Sequence, residues 1–159
     1  MCGAGTTYRN ASSHTDGNLL TNHAFAALKS DGSLVTWGRA SAGGDSSSVA
    51  DDLRSGVSKI YWNSLSFAAL KTDGSVVTWG DPRYGGSIPQ EKSTELSSGV
   101  KEIFSTNFAF AALKDDGSVI TWGIWGGDSS SVADKLSSGV KEIFSTAGAF
   151  AAIVKSSEE

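Results

Sequence analysis

The side chains best suited to chemistry are few in this sequence, and they are poorly placed for it. His14 and His23 are the only histidines and Cys2 the only cysteine. Neither histidine has a cysteine or a second histidine at metal-ligand spacing, so no zinc site is expected. A nucleophilic serine needs a histidine base, and no Gly-x-Ser-x-Gly elbow is present. No glycine-rich phosphate loop ending in Gly-Lys-Ser/Thr occurs either. The single Cys2 rules out an internal disulfide and reads as a terminal thiol with no task. Asp31-Gly32, Asp73-Gly74 and Asp116-Gly117 put carboxylates at recurring positions. They lack the alternating oxygen ligands of a calcium loop, and the neighbouring Asp115 has no counterpart in the other pairs. Turn formation accounts for all three pairs. The expectation is no catalytic residue, no cofactor and no metal, and the chemistry left is that of recognition by aromatic and arginine side chains.

Composition sets the outer bounds. The chain of 159 residues suffices for one domain with a real core. Its net charge of −4 is mild and no basic cluster appears, which excludes a nucleic-acid binder that works by displacing counterions from phosphates. Apolar runs such as Phe108 to Leu113 are too short to span a bilayer, so no membrane partner is expected. The N-terminus, Met1-Cys2-Gly3-Ala4-Gly5, lacks the basic and apolar regions of a signal peptide, which makes an intracellular soluble protein the default. Asn10-Ala11-Ser12 fits a glycosylation sequon, a pattern that is common by chance and needs a secreted chain to matter.

The organising feature is an internal repeat. Phe-Ala-Ala-Leu-Lys starts at Phe25, Phe67 and Phe110, and a variant, Phe-Ala-Ala-Ile-Val, starts at Phe150. The spacings are 42, 43 and 40 residues. The first three copies continue through Asp-Gly-Ser and two aliphatics to Thr-Trp-Gly, ending at Gly38, Gly80 and Gly123. Ser97–Thr106 and Ser137–Thr146 are the same ten letters, SSGVKEIFST, and Gly43–Asp51 recurs as Gly126–Asp134. Three units and half of a fourth are present. Each divides into a strand at Lys59, Glu102 or Glu142, a second strand in Phe-Ala-Ala-Leu-Lys and a third in Ser-Val-Val-Thr-Trp, being short, aliphatic and aromatic. Asp-Gly between the second and third supplies the positive φ of a tight hairpin. A fourth element follows Gly44 and Gly127. Val49 and Leu53, like Val132 and Leu136, are four apart, which suits a helical turn capped by Asp or Ser; a short outer strand also fits. In unit two, Pro82 and Pro89 oppose an interior strand.

Residues every unit needs read as packing elements. That covers Trp37, Trp79 and Trp122 and the series Phe25, Phe67, Phe110 and Phe150. The alanines beside each phenylalanine leave room for sheets to approach. Residues that differ between units read differently. They fall in two places, between the first and second strands and after Trp-Gly. In a meander both connections leave from one edge, so they converge on one face. That face carries the candidate protein-binding residues Trp62, Arg83, Tyr84, Phe108 and Trp125, types enriched in interface hot spots. Drift in loops free to vary also accounts for them, and Trp62 also suits a gap between sheets.

The unit x-Ala-Leu-Lys-x-Asp-Gly-x-Val-x-x-Trp-Gly, preceded by Gly-Val-x-x-Ile, resembles the regulator of chromosome condensation repeat from about Leu19 to Lys155. The short period and the Ser-Gly-Val-Lys-Glu-Ile linkers look most like its compact bacterial branch, which includes a propeller-type β-lactamase inhibitor protein. The resemblance implies an all-β fold: a β-propeller, or a propeller arc of about three and a half repeats of roughly 42 residues. It implies protein binding without catalysis. The family also includes a guanine-nucleotide exchange factor, but this chain lacks the inserted hairpin that such a protein turns on its GTPase. An exchange-factor-like regulator and a repeat fragment of a larger multidomain protein are the alternative readings.

The expected organisation is an N-terminal segment at 1–18, repeat units at about 19–56, 57–99 and 100–139, a half unit at 140–155 and a tail at 156–159. The half unit ends in an apolar strand with no third strand after it. A second copy of the chain could complete the ring as a homodimer, or Gly5–Arg9 could return as a closing strand; the former is the expectation.

Overall fold

The structure, a computed structural model, describes residues 23–155. The segment 1–18 with its candidate closing strand, Cys2 and His14, and the tail 156–159 lie outside the described residues. Within them the fold is all-β, built from small antiparallel sheets whose repetition follows that of the sequence. The first sheet pairs β1 (Ala24–Leu28) with β2 (Leu34–Gly38). The second has the order β3 (Val57–Trp62), β4 (Ser66–Lys71), β5 (Val76–Gly80). The third repeats it with β6 (Val100–Ser105), β7 (Ala109–Lys114) and β8 (Val119–Gly123). The last pairs β9 (Val140–Ser145) with β10 (Phe150–Val154). Register repeats as well. Phe25 lies opposite Trp37, Phe67 opposite Trp79 and Phe110 opposite Trp122.

The fourth element is helical rather than an outer strand. Short 3-10 helices form at Ser47–Val49 and Ser130–Val132, the latter running into α2 (Ala133–Leu136), and α1 (Gln90–Ser93) occupies the place in unit two. Asp45 and Asp128 start these turns by accepting a hydrogen bond from the backbone N–H two residues on, Ser47 and Ser130, each at 2.9 Å.

The hairpins form where expected, with one correction to their geometry. Only the glycine of each Asp-Gly pair takes positive φ, 78° at Gly32, 80° at Gly74 and 78° at Gly117. The turns are therefore wider than a two-residue hairpin: Gly32 N–H donates to the Lys29 carbonyl and Lys29 N–H to the Ser33 carbonyl. Each aspartate instead uses its carboxylate, accepting from the backbone N–H of the following serine at 2.9 Å and from its hydroxyl at 2.6 Å. These bonds stabilise the charged form, and the serine hydroxyl is the main cause of the lowered pKa at Asp31, Asp73 and Asp116.

The sheets pack face to face, and strand alternation decides which side chain serves which neighbour. Phe67, Ala69 and Trp79 pack toward the first sheet with Ala24, Ala42 and Leu53. Ala68, Leu70 and Tyr61 face the third sheet and meet Ile103, Phe110, Ala112 and Trp122. Ala111 and Leu113 then turn to the last sheet, meeting Val140 and Ile143. The alanines Ala68, Ala69, Ala111 and Ala112 are wholly buried, as close approach of two sheets requires. Trp79 and Trp122 are packing elements, and removing a buried aromatic of this size costs about 3–5 kcal/mol. Trp37 departs from that pattern. It and Phe25 stack on each other but are 49% and 50% exposed, because among the described residues no sheet precedes theirs.

Two buried hydroxyls, those of Tyr61 and Ser64, are imperfectly satisfied among the described residues. Tyr61 occupies the strand position held by Phe104 and Phe144 in the next units, and its hydroxyl makes no well-formed hydrogen bond among the described residues, its one backbone neighbour of the right kind being at Ile103. Burial pushes its pKa up to about 12. An unpaired buried hydroxyl costs about 1–3 kcal/mol. Tyr61→Phe is therefore expected to melt at or above the wild-type temperature. A loss of more than about 1 kcal/mol in denaturant unfolding would show that the hydroxyl is well bonded after all.

Candidate protein interface

The two edges of the sheets are built differently. At one edge the constant turns lock onto the next unit: Val57 N–H donates to the Gly32 carbonyl, Val100 to Gly74 and Val140 to Gly117. Gly74 is held to glycine by this approach, since a Cβ there would lie 2.8 Å from the Gly99 backbone nitrogen. The variable connections gather at the opposite edge. Asp81 N–H donates to the Leu65 carbonyl and Ile124 N–H to the Phe108 carbonyl, so the two variable segments of each unit lie side by side. Adjacent units are joined there too, with Ser64 N–H on the Asn107 carbonyl at 3.2 Å and Asn107 N–H on Ala147 at 2.9 Å.

Asn63 organises the middle of this edge. Its Oδ1 accepts from the backbone N–H groups of Leu65 and Ser66, and its Nδ2 donates to the Tyr84 carbonyl at 2.6 Å. Tyr84 ends a 3-10 turn, Pro82–Tyr84, started by Asp81 and closed by Gly85 at φ 88°. Asp81 accepts from the Arg83 N–H at 2.9 Å and pairs with its guanidinium, Nη2 to Oδ2 at 3.0 Å. The Arg83 side-chain bond is the main cause of the lowered Asp81 pKa. The Arg83 charge is thus answered within its own loop, and its guanidinium carbon lies 6.0 Å from the Tyr84 ring centre, at the outer limit of a cation–π contact.

From Tyr84 an aromatic row runs into the third unit. Tyr84 and Phe108 are 5.8 Å apart between ring centres, and Phe108 and Trp125 4.7 Å apart with planes at 80°. Phe108 is placed by Thr106, whose Oγ1 accepts from the N–H groups of Phe108 and Ala109. Trp125 is placed by a shortened loop. Four residues separate Trp-Gly from Gly-Gly in the first two units, but only Ile124 and Trp125 do so in the third. The tighter path holds Trp125 at φ 46°, the only positive φ of a non-glycine among the described residues, and leaves it 68% exposed. A bulky residue in that region costs about 1–3 kcal/mol.

Four of the five expected residues, Arg83, Tyr84, Phe108 and Trp125, therefore form one row. Trp62 does not join it. Its indole turns toward the first sheet and lines an apolar cleft of about 280 Å³ with Phe25, Trp37, Ile60 and Phe67. Asn63 and Asp81 were legible as variable loop residues, but their role in fixing Tyr84 and Arg83 emerges only from the contacts. No group of three or more His, Cys, Asp or Glu that could hold a metal ion occurs among the described residues. No helix among them is long and apolar enough to cross a membrane.

The geometry defines a class, an all-β array of small antiparallel sheets with an aromatic row on its variable edge. No family model matches the sequence. No curated protein matches it either. Among solved structures, the chain is similar to the entire ectodomain of the receptor kinase CR4 from Physcomitrella patens, at 14% identity and a TM-score of 0.48, over 79% of this chain and 31% of that one. It is also similar to human WBSCR16, at 20% identity and a TM-score of 0.48, over 84% of this chain and 43% of that one. The chain spans less than half the length of either structure. Likenesses this distant assign it neither a family nor an activity.

Because Tyr84 and Trp125 pack on loops and not between sheets, Tyr84→Ala and Trp125→Ala should each retain the far-ultraviolet spectrum and lose only about 1 kcal/mol of stability, the scale of one ring–ring contact at the surface. Early melting of both variants would make these rings part of the core.

Proposed function

We propose that the chain is a noncatalytic protein-binding module, an arc of β-propeller blades that takes its partner on the row Arg83, Tyr84, Phe108 and Trp125. The observation that carries this reading is Trp125: a large aromatic, mostly exposed, held at a costly backbone angle, and in edge contact with Phe108. Strain of this kind persists where the surrounding structure fixes it, and such sites cluster at ligand-binding positions. The blade assignment is supported by the face-to-face stacking of like sheets with their variable loops on one edge. The partner is another protein presenting an apolar or aromatic surface, since the one cation in the row is neutralised by Asp81. Aromatic anchors in a row of partly buried rings are the side chains that dominate protein interfaces.

The test is affinity capture from lysate of the source cells with three baits: wild type, the double variant Tyr84→Ala/Trp125→Ala, and Trp62→Ala. A partner retained by wild type and Trp62→Ala and lost by a folded double variant supports the row as the site. A partner retained equally by the double variant contradicts it.

A further inference from the structure

The helical element of a unit lies beside the third strand of the next unit, and in one of these seams a lysine fills the space between them. Between the second and third sheets, Lys92 of α1 carries its Nζ to the Thr121 carbonyl on β8. The Asp128 pKa is lowered chiefly by the Ser130 backbone N–H, and the Lys92 charge adds to that lowering. The ammonium is thus answered by a strand carbonyl and by a nearby carboxylate.

The seam between the first and second sheets has the same frame without the lysine. Val49 holds the place of Lys92: each carbonyl accepts from the leucine four residues on, Leu53 at 3.2 Å and Leu96 at 3.1 Å. The carbonyls just before those leucines, at Asp52 and Glu95, likewise accept from the Lys71 and Lys114 ammonium groups. Thr78 lies opposite Ala68 as Thr121 lies opposite Ala111, so its carbonyl also turns out of the sheet, where Val49 has nothing to donate. The Thr78 hydroxyl is unusual as well. Thr36 and Thr121 bond through theirs to the Gly44 and Gly127 carbonyls, at 3.2 and 2.8 Å, and to the hydroxyls of Ser46 and Ser129. Ile88 replaces that serine in unit two, and the Thr78 hydroxyl makes no hydrogen bond among the described residues although Thr78 is only 8% exposed. Thr78 lines a cleft of about 540 Å³ together with Asp45, Ser48, Asp52 and Ser87, and no lysine or arginine lines it. The Asp45 and Asp52 carboxylates make no ion pair among the described residues.

We propose that this cleft binds a primary alkylammonium group, the chemistry shared by a lysine side chain and a free aliphatic amine. The head group takes the place that Lys92 holds in the next seam. A primary ammonium has three donors. Two go to the Thr78 carbonyl and hydroxyl, and the third faces the carboxylates of Asp45 and Asp52, which answer the charge. The alkyl stem lies along Val49 and Ile88, which also line the cleft. Both walls come from units one and two, and the site stands or falls separately from the aromatic row.

The probe is Nα-acetyl-lysine methylamide, titrated at constant ionic strength into the full chain and followed by amide nuclear magnetic resonance. Saturable shifts are expected at the Val49, Thr78 and Ser87 amides, and none with the Nε-acetylated probe, which has lost its charge. Val49→Lys, checked for its fold by circular dichroism, supplies the ammonium from within and should abolish the shifts. Asp52→Asn should weaken binding about threefold, the scale of one exposed ion pair. A second arm with n-butylamine separates the sources. Saturation by both amines means that the ammonium alone is read, by the lysine probe alone that a lysine within a polypeptide is read, and by butylamine alone that a free amine is; each supports the site. Saturation by neither, or equal shifts with the acetylated probe, would overturn the proposal. So would undiminished binding by folded Val49→Lys or, should that variant not fold, by Asp52→Asn.

Discussion

The tryptophan clamp between sheets is the contact on which the rest depends. A two- or three-stranded sheet of five- or six-residue strands cannot bury both faces by itself. Here each sheet borrows cover from its neighbours, and the indoles of Trp79 and Trp122 fix how closely the neighbours approach. One side chain does three things: it stacks on a phenylalanine across its own hairpin, fills the gap between sheets, and gives its N–H to a glycine carbonyl of the preceding unit. A buried indole without that acceptor would carry an unpaired donor, so the glycine loop and the tryptophan are needed together.

This division of labour explains why variation between units falls to one edge. The faces are committed to stacking and the turn edge is locked from unit to unit by glycine contacts. Only the connections beside Trp-Gly and those between first and second strands can change without disturbing the stack. The third unit uses that freedom by deleting two residues, which turns Trp125 outward. The second spends it on Asp81-Pro82-Arg83-Tyr84, a self-capped turn that presents its tyrosine to Phe108.

Much of the scaffold was legible because repetition states it several times over. The strands, the hairpin positions, the packing role of Trp79 and Trp122 and the gathering of variable loops at one edge all follow from comparing units. What repetition cannot state was missed. That Asp31, Asp73 and Asp116 use their carboxylates and not positive φ depends on the serine two residues on. Trp62 belongs in sequence to a variable segment, yet its indole turns to the gap beside β1, an alternative that spacing alone could not decide. Trp37 carries the repeat signature and is half exposed, because burial depends on the unit before it and not on its own letters. The aromatic row joins loops from two units, and the ring contacts of Tyr84, Phe108 and Trp125 depend on a two-residue deletion whose angular effect is invisible in the sequence.

The clamp can be tested without touching the tryptophans. Gly85 sits at φ 88° beneath Phe110 and the Trp122 indole, with a Cβ at 2.8 Å from the ring and 3.1 Å from Nε1, whereas Gly139, at φ 72°, would gain a Cβ in ordinary contact at 3.8 Å. The measurement is the urea unfolding midpoint of Gly85→Ala beside that of Gly139→Ala, which share the cost of a positive φ. The clamp predicts that Gly85→Ala loses about 1 kcal/mol or more beyond the loss of Gly139→Ala, the cost of overpacking a filled site. Equal midpoints for the two variants would contradict it.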